Sequence, residues 1–488
     1  MCARRILCAM TDVYEAVYAS QPLEHTARLE AEGRVPKGLS GTLLRSSPGV
    51  TRLGGRALNF FDGHALIAGV SFRDGGPCGF RSRHVRTPLY EEEIAAGRMT
   101  KRRLTTNLPS RWANFLNVKL GNTAMHDVFA YGGRVFATND PGHFALDAAT
   151  LETIGAERWG GAVRPGWDMS PMPHVDPTSG RLIAWLKQQG GRKPDALKFV
   201  ELDEQLRVVQ ETRAHALGKA PAIVHDLRAT RRWYVATEGA PRLSVLDALW
   251  GKKTVFESFR WPEDETLALL LCPREGGDRL VRIPVPEVKA AFHVINAYDD
   301  GDHVVVDLTT YAGFVNFSAT APREVRGADP APSVPPRPRR YVVDPRAGTI
   351  VSHRVLCDRA FEAPEVPDAL MGARHRFAYG ATQGGDERSP DDASVLYFGG
   401  VGKLDTDTGE MTRWSAGPGA IASPPAFVSR GAGEDEGWLL AWVLDGRGTS
   451  VVVLDALDLA GGPIARVPLN VSLPGVSHTR FAPNLHLA

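Results

Sequence analysis

One phrase recurs along the 488-residue chain and limits what it can fold into. "FALDAATLETIG", "HVDPTSGRLIAW", "YVVDPRAGTIVSHRV", "GKLDTDTGEMTRW" and "VVVLDALDLAGGPIARV" each run from a β-like segment to an aspartate, through a short turn, and back into a β-like segment. The aspartate side chain caps such a turn by accepting hydrogen bonds from the backbone ahead, and glycine supplies positive φ. The length suits either about three ordinary domains or one large repetitive β architecture. A hairpin written at least five times favours the second, as small antiparallel sheets set side by side. A β-propeller is that arrangement, and its radial closure leaves only short edges. Seven blades would average about 70 residues, above the usual ~40–50, so long loops must gather on one face.

The expected fold class is therefore all-β, a seven-bladed β-propeller with a helical and loop cap over the top face. Residues 1–22 are expected to form a partly helical N-terminal extension and residues 23–488 a single propeller domain. Within it, the Pro-rich stretch 322–340 reads as an inserted loop. Candidate helices are few: "TDVYEAVYAS", "PLYEEEIAAGR" and "LSVLDALWGKK".

A formal net charge of +1 argues against a broad nucleic-acid-binding surface. The short basic runs "TKRR" and "PRPRR" read as solvated loops. Five cysteines without a C-x-x-C pair fit a reducing cytoplasm better than a disulfide framework or thiolate metal site. No window approaches the ~20 apolar residues of a membrane span. The greasiest run, "TLALLLCP", would at most touch a bilayer surface. A cytoplasmic protein, with possible peripheral membrane contact, is expected.

Fourteen histidines are present. His25, His126, His143, His215, His303 and His375 lie near polar or turn residues and read as surface or loop groups, and His353 as a hydrogen-bonded group in an edge-like strand. His174, His225, His293 and His478 differ. Each stands at the start or end of a β-like run, and three of them have an apolar neighbour. A single buried histidine is more often a satisfied core group than a ligand. Four on different hairpins are another matter, because the innermost strands of a propeller converge on one axis. Four neutral imidazoles make an all-nitrogen site suited to Fe, Cu, Zn or Ni rather than Mg or Ca.

The chain resembles the carotenoid cleavage oxygenases, a non-haem iron family that includes retinoid isomerohydrolase and stilbene dioxygenases. The likeness runs nearly end to end, through "EGRVPKGLSGTLLRSSPG", "LNFFDGHALIAGVSFRDG", "FRSRHVRTPLYEEEIAAGR" and the flanks of the four histidines. It implies Fe(2+) held on the propeller axis by His174, His225, His293 and His478, with O2 as co-substrate. The implied reaction cleaves a conjugated C=C bond of a carotenoid or apocarotenoid to carbonyl products. Glu362, in "FEAPEVP", matches one of the carboxylates that orient ligand histidines in the family. Asn139 and Pro424 stand where two others are expected. Asn139 retains an acceptor oxygen, whereas Pro424 offers none.

An apolar tunnel is implied for the polyene, with Phe60, Phe61, Trp112, Phe115 and Trp167 as candidate walls. Ordinary core packing is an equal reading for any one of them. Thr138 stands where stilbene cleavers of the family carry a lysine, which favours a carotenoid-type substrate. Stilbene-type cleavage, an isomerase or hydrolase on the same scaffold, and a polyene-binding propeller without turnover remain alternatives. Oligomeric state is not legible in these residues.

Overall fold

The computed structural model describes residues 13, 15–76, 78–117, 119–140, 142–189, 194–218, 222–326, 333–383 and 398–488. Among them, seven sheets of four to six strands form the blades of a β-propeller, beside two short two-stranded ribbons. Blades 1 to 6 begin in chain order with the strands Val128–Tyr131, Trp167–Met169, Leu227–Ala229, Val294–Asp300, Phe361–Glu365 and Ile421–Ala422. In blade 2 the short strand His174–Val175, and in blade 6 the strand Ala426–Ser429, extend this first position. Blade 7 closes the ring: its C-terminal strand His478–Pro483 pairs with Ser40–Val50, with Ser46 opposite His478 and Gly41 opposite Pro483.

The recurring turns behave as the sequence predicts. Asp147, Asp344 and Asp405 each accept from two backbone N–H groups ahead of them, and Asp176 and Asp455 from one. Gly180, Gly348 and Gly409 take the positive φ that follows.

Blades pack on both faces, which explains the run "TLALLLCP". In the strand Ala268–Pro273, Leu269 and Leu271 point into the core shared with blade 4, while Leu270 and Cys272 point into the core shared with blade 2. A strand sandwiched in this way is apolar at every position. It lies in the interior, not at a membrane surface. No helix among the described residues is long and apolar enough to cross a bilayer.

The cap is built from insertions between strands. The helix Pro88–Ala96 is capped by Thr87, whose hydroxyl oxygen accepts from Tyr90 N at 2.9 Å, and ends at Gly97 in the left-handed region. The predicted helix near "LSVLDALWGKK" forms over Val245–Trp250. The short helical stretch near "TDVYEAVYAS" includes residues 13 and 15–17, while residues 1–12 and 14, with Cys2 and Cys8, lie outside the described residues. Two sequence expectations are corrected here. "TKRR" is not a solvated loop: Arg102 and Arg103 are fully buried. Arg102 donates to the carbonyls of Asn117, Ala248 and Lys253, binding two cap insertions together. The Pro-rich insertion is also shorter than 322–340, because Arg337–Asp344 is already the third strand of blade 4, where Arg340 pairs with buried Asp307. Residues 327–332 of that stretch lie outside the described residues.

Buried Glu93 is the polar anchor of the cap. Its carboxylate accepts from Arg103 at 2.6 Å, His64 Nε2 at 2.9 Å and the backbone N–H groups of Thr100 and Lys101. Burial alone would raise its pKa, but the His64 hydrogen bond and the Arg103 charge hold it at about 2. Its stabilising contribution is therefore complete above the ordinary carboxyl range and declines as pH falls toward about 2. Glu93→Ala should destabilise the protein by about 3–5 kcal/mol, because it strands the buried Arg103 guanidinium. Urea unfolding midpoints should show this loss at neutral pH, with a smaller difference from wild type under strong acid.

Candidate metal centre

The inner strands of several blades begin with histidine or just after it. His126 lies two residues before Val128–Tyr131, His225 two before Leu227–Ala229, His293 one before Val294–Asp300, and His478 opens the final strand. Their rings form a closed circuit. Centroids lie 4.9 Å apart for His126 and His225, 5.4 Å for His225 and His293, 5.3 Å for His293 and His478, and 5.1 Å for His478 and His126.

Hydrogen bonds orient two of the four. His225 Nδ1–H donates to the Phe292 carbonyl at 2.8 Å, leaving Nε2 as the lone-pair nitrogen. His293 Nδ1–H donates to Glu362 Oε2 at 2.6 Å, as the resemblance implies, and its Nε2 is buried without a hydrogen-bond partner. The carboxylate of Glu362 is held in turn by Tyr311 Oη at 2.7 Å and Thr309 Oγ1 at 3.1 Å. His126 Nε2 is likewise buried and unpartnered.

Burial lowers the pKa values of His126, His225 and His478, and the neighbouring imidazoles lower them further. All three are thus held neutral, the state a metal ligand needs. His293 moves the other way: burial lowers it, but the Glu362 charge and hydrogen bond outweigh that and raise it.

The structure departs from several expectations. His126 is half-buried with its Nε2 enclosed, and His143, His215 and His375 are buried. His143 accepts from Trp159 Nε1, His215 binds the Gly277 carbonyl, and His375 faces Asp307. His174 is buried, but among the described residues it makes no ring contact with the other three expected ligands. Its surroundings are charged instead: burial, with Arg228 nearby, pushes its pKa down to about 3. The small cavity bordered by His293 and His478 is lined from that segment by Met172.

Asn139 does not orient a histidine, because its side-chain oxygen accepts from Asp140 N at 2.9 Å. Thr138 is committed to structure, donating to the Pro171 carbonyl at 2.7 Å. Of the candidate walls, Phe61 packs in an aromatic group. It contacts Phe317, which touches Phe256 and Phe292, and Phe292 abuts His225, so an aromatic row runs from the cap to the imidazoles. Phe60 meets Phe61 edge-on but belongs to the core beside Val17 and Leu44. Trp167 packs within the core between blades 1 and 2, and Trp112 and Phe115 stand at the surface, with Trp112 77% exposed. These three do not line a tunnel. Sequence reading missed Phe256, Phe292 and Phe317, which are scattered over separate insertions and carry no local signature.

Among the described residues, no three His, Cys, Asp or Glu side chains stand close enough together to hold an ion as placed. The donor chemistry nevertheless fits one: the buried, unpartnered Nε2 atoms of His126 and His293 belong to rings that both contact His225 and His478.

A seven-bladed propeller with imidazoles gathered where its inner strands begin points to a class of oxygenases. The comparisons agree. The family model described as Retinal pigment epithelial membrane protein matches residues 18–483. The chain belongs to that family, the carotenoid cleavage oxygenases. It is 29% identical to an apocarotenoid-15,15'-oxygenase of Synechocystis over 95% of both chains, and 27% identical to an isoeugenol monooxygenase of Pseudomonas putida over 92% of this chain and 93% of that protein. The structure of a cobalt-substituted Synechocystis enzyme superposes with a TM-score of 0.88 at 26% identity, covering 97% of this chain and 98% of the other.

Glu362→Gln should weaken metal binding by ~10–100-fold, as loss of a ligand-orienting carboxylate typically does. Anaerobic titration of the apoprotein with Co(II) measures it, and an unchanged far-UV circular dichroism spectrum should accompany the loss.

Proposed function

We propose that the chain is an Fe(2+)-dependent dioxygenase that cleaves a conjugated C=C bond of an apocarotenoid or carotenoid. The observation that carries this reading is the aromatic row ending at the imidazoles. Phe61, Phe317, Phe256 and Phe292 offer apolar faces and edges to a long polyene and few hydrogen bonds, so placement rather than polar recognition selects the bond to be broken. The iron, when bound, supplies dioxygen activation. His225 and His293 present their Nε2 lone pairs to it, and Glu362 with the Phe292 carbonyl fixes the tautomers. Both atoms of O2 enter the two carbonyl products, which balances the reaction without an added reductant. Support also comes from the apocarotenoid-cleaving relative and from Thr138, whose hydroxyl is buried against backbone instead of being free to bind a phenol.

The substrate class resides in membranes, and a docking surface is part of the proposal. Trp112, Phe115 and Trp250 pack edge-on to one another at the surface, with Leu246 81% exposed nearby and Arg111 over both tryptophans. An apolar patch with a basic rim suits the headgroup region of a bilayer. A cytoplasmic enzyme working at a membrane surface is the proposed setting.

The test is turnover of apocarotenals, β-carotene, isoeugenol and a stilbene by iron-loaded enzyme under isotopically labelled dioxygen. Apocarotenal cleavage with label in both carbonyls is the expected result. Label from water in either primary product would indicate a hydrolase or monooxygenase instead, and preference for isoeugenol or stilbene would reassign the substrate. His293→Ala should abolish turnover. Leu246→Asp combined with Trp112→Asp should cut co-sedimentation with phospholipid vesicles several-fold, while leaving cleavage of detergent-dispersed substrate within about twofold.

A further inference from the structure

We infer that the metal of this chain is held by His126, His225, His293 and His478, with His126 in the place expected for His174. This rests on the proposal that the imidazole cluster is a metal centre.

Three observations support it. The first is contact: His126 lies against both His225 and His478 and completes the circuit of rings, whereas His174 lies outside it. The second is an unmet bonding need. His126 Nε2 is buried without a partner, as is Nε2 of His293 in the same circuit; His174 Nδ1 is unpartnered too, but its ring lies outside the circuit.

The third is a repeated local design. "HDV" at His126–Val128 and "HDL" at His225–Leu227 are the same phrase at the start of two inner strands. In each, the aspartate Oδ1 accepts from the following backbone N–H: Val128 N to Asp127 at 2.8 Å and Leu227 N to Asp226 at 2.7 Å. Each aspartate also carries an arginine, Arg480 on Asp127 and Arg228 on Asp226. The chain thus builds the support of an axial histidine twice, and His126 receives the same support as His225.

Blade 2 completes the picture by what it presents. Met172, buried and two residues before His174, lines the cavity beside His293 and His478, so this blade faces the centre with a thioether and not an imidazole.

The experiment compares Co(II) affinity and visible absorption in wild type, His126→Ala and His174→Ala, all with the full chain. His126→Ala should lose more affinity than the ~10–100-fold typical of an outer partner and change the cobalt bands. His174→Ala should bind within about threefold of wild type with unchanged bands. Should His126→Ala fail to fold, X-ray absorption of cobalt-loaded His174→Ala decides: four imidazoles uphold the assignment and three overturn it. Strong loss in His174→Ala with normal binding by His126→Ala also overturns it, leaving the oxygenase reading intact. Conversely, His126-dependent metal binding without polyene cleavage would sink that reading and leave this one standing.

Discussion

The pairing of His478–Pro483 with Ser40–Val50 joins the two ends of the chain, and the geometry of the centre follows from it. A propeller without this closure is an open row of blades with unpaired edges and no common axis. The same strand delivers His478 to the cluster and Arg480 to Asp127 of blade 1, so closure and site assembly are one event. Arg45, buried in the partner strand, donates to the Pro474 and Gly475 carbonyls and fixes the approach of that last strand. Histidines more than 350 residues apart thereby meet within about 5 Å.

Around this axis the protein sets buried charge behind neutral rings. Asp226 binds Arg228 and the Val294 N–H, tying the start of blade 3 to that of blade 4, and Glu362 ties blade 4 to blade 5 through His293. Each buried carboxylate is satisfied by several donors, which is the condition for tolerating such groups in a low-dielectric interior. The result is a frame in which hydrogen bonds set the orientations of His225 and His293. Fixed placement suits a reaction whose selectivity depends on where the substrate's carbon atoms are held.

The cap adds the second half of the site. Its insertions come from within blades 7, 3 and 4 and from between blades 7 and 1, and they are bound together by Arg102 and by the Asn59 side chain, which donates to the Phe317 carbonyl. This brings Phe61, Phe256 and Phe317 against Phe292 in one apolar row above the rings.

Much of this was legible in the residues themselves. Local physics is short-ranged: an aspartate capping its own turn, a glycine at positive φ and a proline at the first turn of a helix act within a few positions, so the hairpin repeat and the helix Pro88–Ala96 could be read directly. His225, His293 and His478 could be singled out because each sits at the edge of a β-like run, and Glu362 through the family resemblance of "FEAPEVP". What only the tertiary structure decided was direction and company. His126 read as a loop group and His174 as a strand-edge ligand, yet the ring of His126 joins the circuit and that of His174 lies outside it. Arg102 and Arg103 looked like surface charge until the cap folded over them, and Trp112 looked like a tunnel wall until its turn faced outward. Which way a side chain points at the end of a short strand depends on packing from distant blades, and no nearby residue records that.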